Sequence, residues 1–166
     1  MSAGFRERLV IDAPRGELRD GAIRYLTMRP DALMGMFDRL PVPARHQALT
    51  ALAASVAEFG GRSLAAYKAS APGDMAALVQ TVIATSAELG WGVWAMTPRD
   101  GGGFDVTVTN SPFAAGLAAP SDGPACAPIL GILTALATHV IPGGVIVAET
   151  SCAAQCGGAE CRFTLS

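Results

Sequence analysis

Charge is scarce in this chain: Asp, Glu, Lys and Arg make up 16% of its 166 residues, and they nearly cancel to a formal net charge of −2. No basic cluster stands out, so the electrostatic footprint that nucleic acid demands is missing, and nucleic-acid binding is not expected. Histidine is rarer still, with only His46 and His139. His46 falls at a helix start and His139 near a helix C-terminus, where a cation suits the helix dipole, and both read as structural. Glycine patterns that cradle phosphates are absent: there is no G-x-G-x-x-G after a strand and no G-x-x-x-x-G-K-[ST]. Asp100-Gly101-Gly102-Gly103 reads as a hairpin turn instead. With no dinucleotide or flavin site to supply a hydride or electron, no catalytic residue is assigned.

Uninterrupted hydrophobic runs are lacking too. The stretch from Met1 to Val10 carries Arg6, Glu7 and Arg8 with no apolar segment behind them, so no signal peptide is expected and a cytoplasmic location is. The longest apolar stretch, Ala125 to Val147, is broken by Pro128, His139, Pro142, Gly143 and Gly144, which argues against a membrane span. In a reducing compartment the four cysteines are expected as metal ligands or free thiols rather than disulfides. An apolar fraction of 51% suits a single domain over residues 1–166. So little charge leaves apolar surface to be covered, and a homodimer is expected. Because Ser166 follows the final strand directly, any signalling output is expected to pass through a separate partner.

What is present reads as helices, a hairpin, a helix and a second hairpin. Gly16 to Met28 alternates loosely around the turn dipeptide Asp20-Gly21 and predicts a hairpin or edge strand. Arg29-Pro30-Asp31 opens a helix through Leu33, Met34, Met36, Phe37 and Leu40, ended by Pro41-Val42-Pro43. A second helix runs from near Ala44 through Tyr67, with Gly60-Gly61 as a kink or close-packing point. Pro72-Gly73-Asp74 turns the chain into a third helix that ends at Gly90. The period then changes to two. Trp91, Val93 and Ala95 are read as one strand face, with Trp94 on the other, and Phe104, Val106 and Val108 alternate with Asp105, Thr107 and Thr109. After a short helix at Asn110-Ser111-Pro112-Phe113 and a linker come a helix from about Ala125 to Val140 and strands over 145–149 and 162–165. An α+β domain, an antiparallel sheet packed against helices, is the expected class.

The chemistry concentrates near the C-terminus. Cys126 sits at a helix start, where free N–H groups and the positive dipole end stabilise a thiolate, as a ligand or a nucleophile requires. Neither histidine is placed by sequence to serve it as a base. Glu149 and Cys152 lie where a strand runs into a turn, and Cys161 begins the returning strand nine residues later. Soft thiolates with one carboxylate suit zinc. Ordinary unliganded thiols are the competing reading.

The run Ala148-Glu149-Thr150-Ser151-Cys152-Ala153-Ala154-Gln155-Cys156-Gly157, with Cys126 before it and Cys161-Arg162-Phe163 after it, resembles the signature of the 4-vinyl reductase domain family. That family includes a protein linked to bacteriochlorophyll vinyl reduction, archaeal hydrocarbon-binding proteins and the sensor domains of phenol-responsive activators. The resemblance is strongest over 110–166, and the order of the preceding elements fits as well. It implies a ligand-binding fold shared with nitric-oxide-sensing and Golgi tethering-complex domains, and a structural zinc held by Cys126, Glu149, Cys152 and Cys161. The loop between the last two cysteines is about one residue longer than the family pattern and contains Cys156, so either Cys156 or Cys161 completes the set. Cys-x-Phe leading into the last strand favours Cys161. The resemblance also implies an apolar pocket between helices and sheet beside the metal hairpin, lined here by Trp91, Val93, Phe104, Val106, Phe113, Leu130 and Val147. Neither histidine matches the place of the phenol-holding histidine. The function implied is a zinc-stapled carrier or sensor of a hydrophobic, aromatic or tetrapyrrole-like small molecule. An enzyme or accessory factor in vinyl reduction of bacteriochlorophyll precursors, and a protein-interaction subunit, are the alternatives.

Overall fold

The computed structural model describes residues 4–70, 73–141, 143 and 145–166; Pro72, Pro142 and Gly144 of the turns read above lie outside them. The elements are α1 (Phe5–Arg8), β1 (Val10–Asp12), β2 (Glu17–Asp20), β3 (Ile23–Tyr25), α2 (Pro30–Asp38), α3 (Val42–Ser70), α4 (Met75–Glu88), β4 (Val93–Pro98), β5 (Phe104–Thr109), α5 (Pro112–Ala115), α6 (Ala127–Val140), β6 (Val147–Ser151), α7 (Ala153–Cys156) and β7 (Glu160–Leu165). This is an α+β architecture. The expected hairpin around Asp20-Gly21 is present as β2 and β3, and β1 extends it to a three-stranded antiparallel sheet. Among the described residues no helix is long and apolar enough to cross a membrane.

The second sheet has the order β4-β5-β7-β6, antiparallel throughout. Its inner face carries Val106, Val108, Cys161, Phe163 and Leu165, all nearly free of solvent. Against them packs α6, whose Ile129, Leu133 and Leu136 are fully buried. The long α3 lies along α6 more extensively than any other pair of elements meets. Small residues allow that approach. A Cβ on Gly131 would stand 2.5 Å from the Ala53 carbonyl oxygen and 2.9 Å from Val56, and a Cβ on Gly60 would collide with Ile132. The glycine pair of α3 is therefore a close-packing point.

The register of β4 departs from the alternation read in the sequence. Trp94 is 3% exposed and Val93 is 60% exposed, so the strand turns Trp94 inward and Val93 outward. Gly92, at φ +94°, precedes the strand and breaks the alternation that linked Trp91 to Val93. Pairing then fixes the phase, because Trp94 lies opposite Val108 and Met96 opposite Val106, both core residues of β5. The Trp94 indole N–H donates to the Trp91 carbonyl at 3.1 Å, satisfying the one polar group it buries.

The helix contact yields a test. Gly131→Ala is expected to lower stability by about 1–3 kcal/mol through overpacking. Gly61→Ala, whose Cβ meets only Ala135 at 3.6 Å, should be neutral or stabilising. Chemical denaturation of both variants measures the difference, and equal effects would refute the assignment of Gly131 as the tight point.

Candidate metal centre

The site forms where the start of α6 meets the β6–β7 hairpin. Cys126 is the residue that opens α6, Glu149 lies in β6, Cys152 opens α7, and Cys161 is the second residue of β7. Their ligand atoms all lie within 4.8 Å of one another. Cys126, Cys152 and Cys161 are 0%, 1% and 0% exposed. Cys156 is exposed and outside the group, so Cys161 is the cysteine that completes it.

A local irregularity makes the spacing work. Two residues three apart on a regular strand face opposite sides of a sheet. Between Glu149 and Ser151 the β6–β7 ladder shifts register: Glu149 pairs with Phe163, and Ser151 pairs with Arg162. The extra residue, Thr150, is exposed and its hydroxyl donates to the Arg162 carbonyl at 3.2 Å. This β-bulge lets both Glu149 and Cys152 turn toward Cys161. The short α7, closed by Gly157 at φ +70°, then returns the chain to β7.

The polar contacts of the cluster are local. The Cys126 N–H donates to Glu149 Oε2 at 3.0 Å, and Ser111 Oγ lies 3.2 Å from Cys126 Sγ. Cys126 Sγ approaches Cys161 Sγ at 3.4 Å, and the Ala153 N–H donates to Cys161 Sγ at 3.3 Å. Glu149 Oε1 is buried and has no hydrogen-bond partner. A buried carboxylate oxygen without a partner is costly, and coordination to a cation removes that cost. In a tetrahedral site with zinc–sulfur bonds of about 2.3 Å, neighbouring sulfurs stand about 3.8 Å apart, inside the range seen here. The donor set therefore fits zinc.

Protonation points the same way. Hydrogen bonds to Cys152 and Cys161, together with burial, push the Cys126 thiol far above the ordinary thiol range. Burial and the nearby Cys152 raise Glu149 to about 8. Cys161, accepting from Cys126, Cys152 and the Ala153 N–H, is lowered to about 4. The bare cluster thus concentrates its charge on one thiolate, and Cys126 is not poised as a nucleophile.

The seven expected pocket residues do not share one cavity. Val106 and Phe113 are buried core, Phe104 and Val147 pack half-buried against it, and Val93 faces solvent. The space between α6 and the sheet is filled by side chains such as Leu133, Leu136 and Phe163. A cavity of about 70 Å³ lies instead among α3, α4 and α6, lined by Ser63, Leu64, Tyr67, Val82, Ser86 and Trp91 among others. Trp91 is the one expected residue that borders it; Leu130 borders a separate cleft. The α3 and α4 lining carried no sequence signal, since amphipathic helix positions look alike whether they face a core or a cavity.

Residues 104–166 match the 4-vinyl reductase domain family. No curated protein matches the chain. Among solved structures, the chain is similar to the phenol-responsive sensory domain of the transcription activator PoxR with phenol, with a TM-score of 0.77 at 17% identity, covering 99% of this chain and 90% of that one. It is also similar to a vinyl-4-reductase family protein from Methanocaldococcus jannaschii, with a TM-score of 0.53 at 13% identity, covering 87% and 98%. At these identities the likeness establishes a shared fold.

Metal binding must displace the protons held by Cys126 and Glu149. Affinity for zinc is therefore expected to rise by about 100-fold per pH unit between about pH 6 and 7, two protons leaving per ion. Glu149→Gln should weaken binding and remove about one of them. Competition with a chelator across pH, and calorimetry in buffers of different ionisation enthalpy, count the protons; a pH-independent affinity would refute the protonation assignment.

Proposed function

Residues 104–166 place this chain among the 4-vinyl reductase domain proteins, and from that premise we propose that it is a zinc-stapled binding domain for a small hydrophobic molecule, acting as a carrier or sensor. The observation that carries the reading is the buried group of three thiols and a carboxylate with one oxygen unpartnered. Cys126, Glu149, Cys152 and Cys161 would hold the metal. Four protein ligands fill a tetrahedral site, so the ion would serve as a structural clamp between α6 and the β6–β7 hairpin. The phenol named with the PoxR domain motivates the ligand class for this chain.

The cavity among α3, α4 and α6 is the proposed ligand site. Its lining joins apolar Leu64, Val82 and Ile132 to the hydroxyl-bearing Ser63, Tyr67, Thr85 and Ser86, and includes no charged side chain. A neutral ligand with one hydrogen-bonding group suits such walls. At about 70 Å³ the space favours a ligand of single-ring size over a tetrapyrrole. A contact path connects it with the metal hairpin: Trp91, on the cavity wall, packs edge-on against Phe113 of α5 with ring centroids 5.3 Å apart. Ser111, which caps α5, lies against Cys126. Movement of Trp91 on ligand entry would reach the metal through that route.

The reading extends to a homodimer built on the N-terminal sheet, where Val10, Ile11 and Leu26 are 64%, 77% and 78% exposed. Light scattering should give twice the chain mass, and a monomer at tens of micromolar would refute the dimer.

Elemental analysis of protein purified under reducing, chelator-free conditions should find one zinc per chain, lost in Cys152→Ala. In thermal-shift titrations, phenol is expected to raise the Tm of the zinc-loaded protein, whereas Ser63→Phe, which fills the cavity, should abolish the shift and retain the zinc. Zinc-free wild-type protein would overturn the metal reading, and an undiminished shift in Ser63→Phe would overturn the cavity assignment.

A further inference from the structure

A cluster whose three thiols are all buried needs a route for its ion, and two clefts border it. The larger, of about 450 Å³, lies between α3 and the 122–124 loop, with His46, Thr50, Asp122, Leu130, Glu149 and Gln155 on its walls. Glu149 is the one member of the cluster that borders it. The other, of about 280 Å³, touches Cys161 and is walled by Val108, Asn110, Ser111, Ala114, Ala153 and Ala159 with neighbouring small residues.

Resting on the reading of the cluster as a metal site, we infer that the larger cleft is the port through which a thiophilic divalent cation enters and leaves, with His46 and Asp122 as its first binding pair. His46 Nε2 stands 3.4 Å from Asp122 Oδ2. Two ligands bound at about 2.0–2.1 Å with a tetrahedral angle are about 3.4 Å apart, so one ion can bridge this pair without moving it. Arg45 donates to the other carboxylate oxygen, Oδ1, at 3.1 Å, which fixes the aspartate and leaves Oδ2 toward the imidazole.

An ion entering here replaces its waters step by step. Imidazole and carboxylate at the mouth give way to the Glu149 carboxylate inside, and the thiolates follow as the softest ligands. The smaller cleft offers no imidazole or carboxylate along its wall, so an ion passing through it would lose water without replacement. Glu149 thereby acquires a second role. It is the oxygen donor in a sulfur-rich set, and the one presented to the approach.

The test follows Co²⁺ loading of the reduced, metal-free full chain by stopped-flow, read from the thiolate-to-cobalt charge-transfer band, with release driven by excess chelator. Thr50 and Ala159 are exposed, so Thr50→Trp and Ala159→Trp can plug the larger and smaller clefts with the core unchanged. The port predicts that Thr50→Trp slows both loading and release by about tenfold with an unchanged equilibrium affinity, because only the path is obstructed. His46→Ala is expected to slow loading by about fivefold, and Ala159→Trp should match the wild type. Wild-type loading rates in both Thr50→Trp and His46→Ala, or slow loading confined to Ala159→Trp, would overturn the port while leaving the metal site standing. Absence of the cobalt band in the wild type would overturn the metal reading itself, and the port with it.

Discussion

The burial of three thiols and a carboxylate at one point is the constraint on which the C-terminal half of this protein depends. Ionised together, they would place several negative charges in a space closed to water, at a cost no packing around them offsets. The bare chain meets that constraint by keeping protons on Cys126 and Glu149 and concentrating charge on Cys161. A divalent cation would meet it more completely, because it neutralises the ionised set and satisfies Glu149 Oε1, which no protein group reaches. The cluster also joins parts of the chain that are otherwise linked by ordinary packing: the start of α6, the bulged end of β6 and the beginning of β7. Position and chemistry are thus coupled, since the hairpin cannot lift from the helix without exposing or breaking the group.

How much of this could be read from the sequence differs between residues for physical reasons. The element order, the α+β class and the four clustered side chains were legible, because helix periodicity, capping residues and soft-ligand chemistry are local signals. Cys156 and Cys161 could not be separated by chemistry. The fold separates them, since β7 carries Cys161 onto the inner face opposite Val108, while Cys156 ends the exposed side of α7. The bulge at Thr150, which lets Glu149 and Cys152 face the same way, has no sequence signature of its own. The phase of β4 was misread for a related reason. Counting alternation from Trp91 assumes a continuous strand, and Gly92 at positive φ interrupts it. The cross-strand partners Val106 and Val108 were read correctly, and pairing with them places Trp94 inside.

The two halves of the chain contribute different parts of the proposed function. The family match begins at β5 and covers the complete metal cluster. The lining of the α3–α4–α6 cavity comes almost entirely from before it, from Tyr25 to Trp91, with Ile132 as the one named exception. A match confined to residues 104–166 therefore informs the clamp far more than the ligand. This separation is physically reasonable. The clamp is held to a narrow set of residues by ligand chemistry, whereas walls built from helix positions can change size and polarity without disturbing the strand pairing. The low sequence identity to the PoxR domain, despite near-complete coverage, is in keeping with a retained frame and freely altered walls. Ligand identity is therefore set by the few side chains that project from α3 and α4 toward Trp91, and the Trp91–Phe113 contact is where that variable half meets the metal-bearing one.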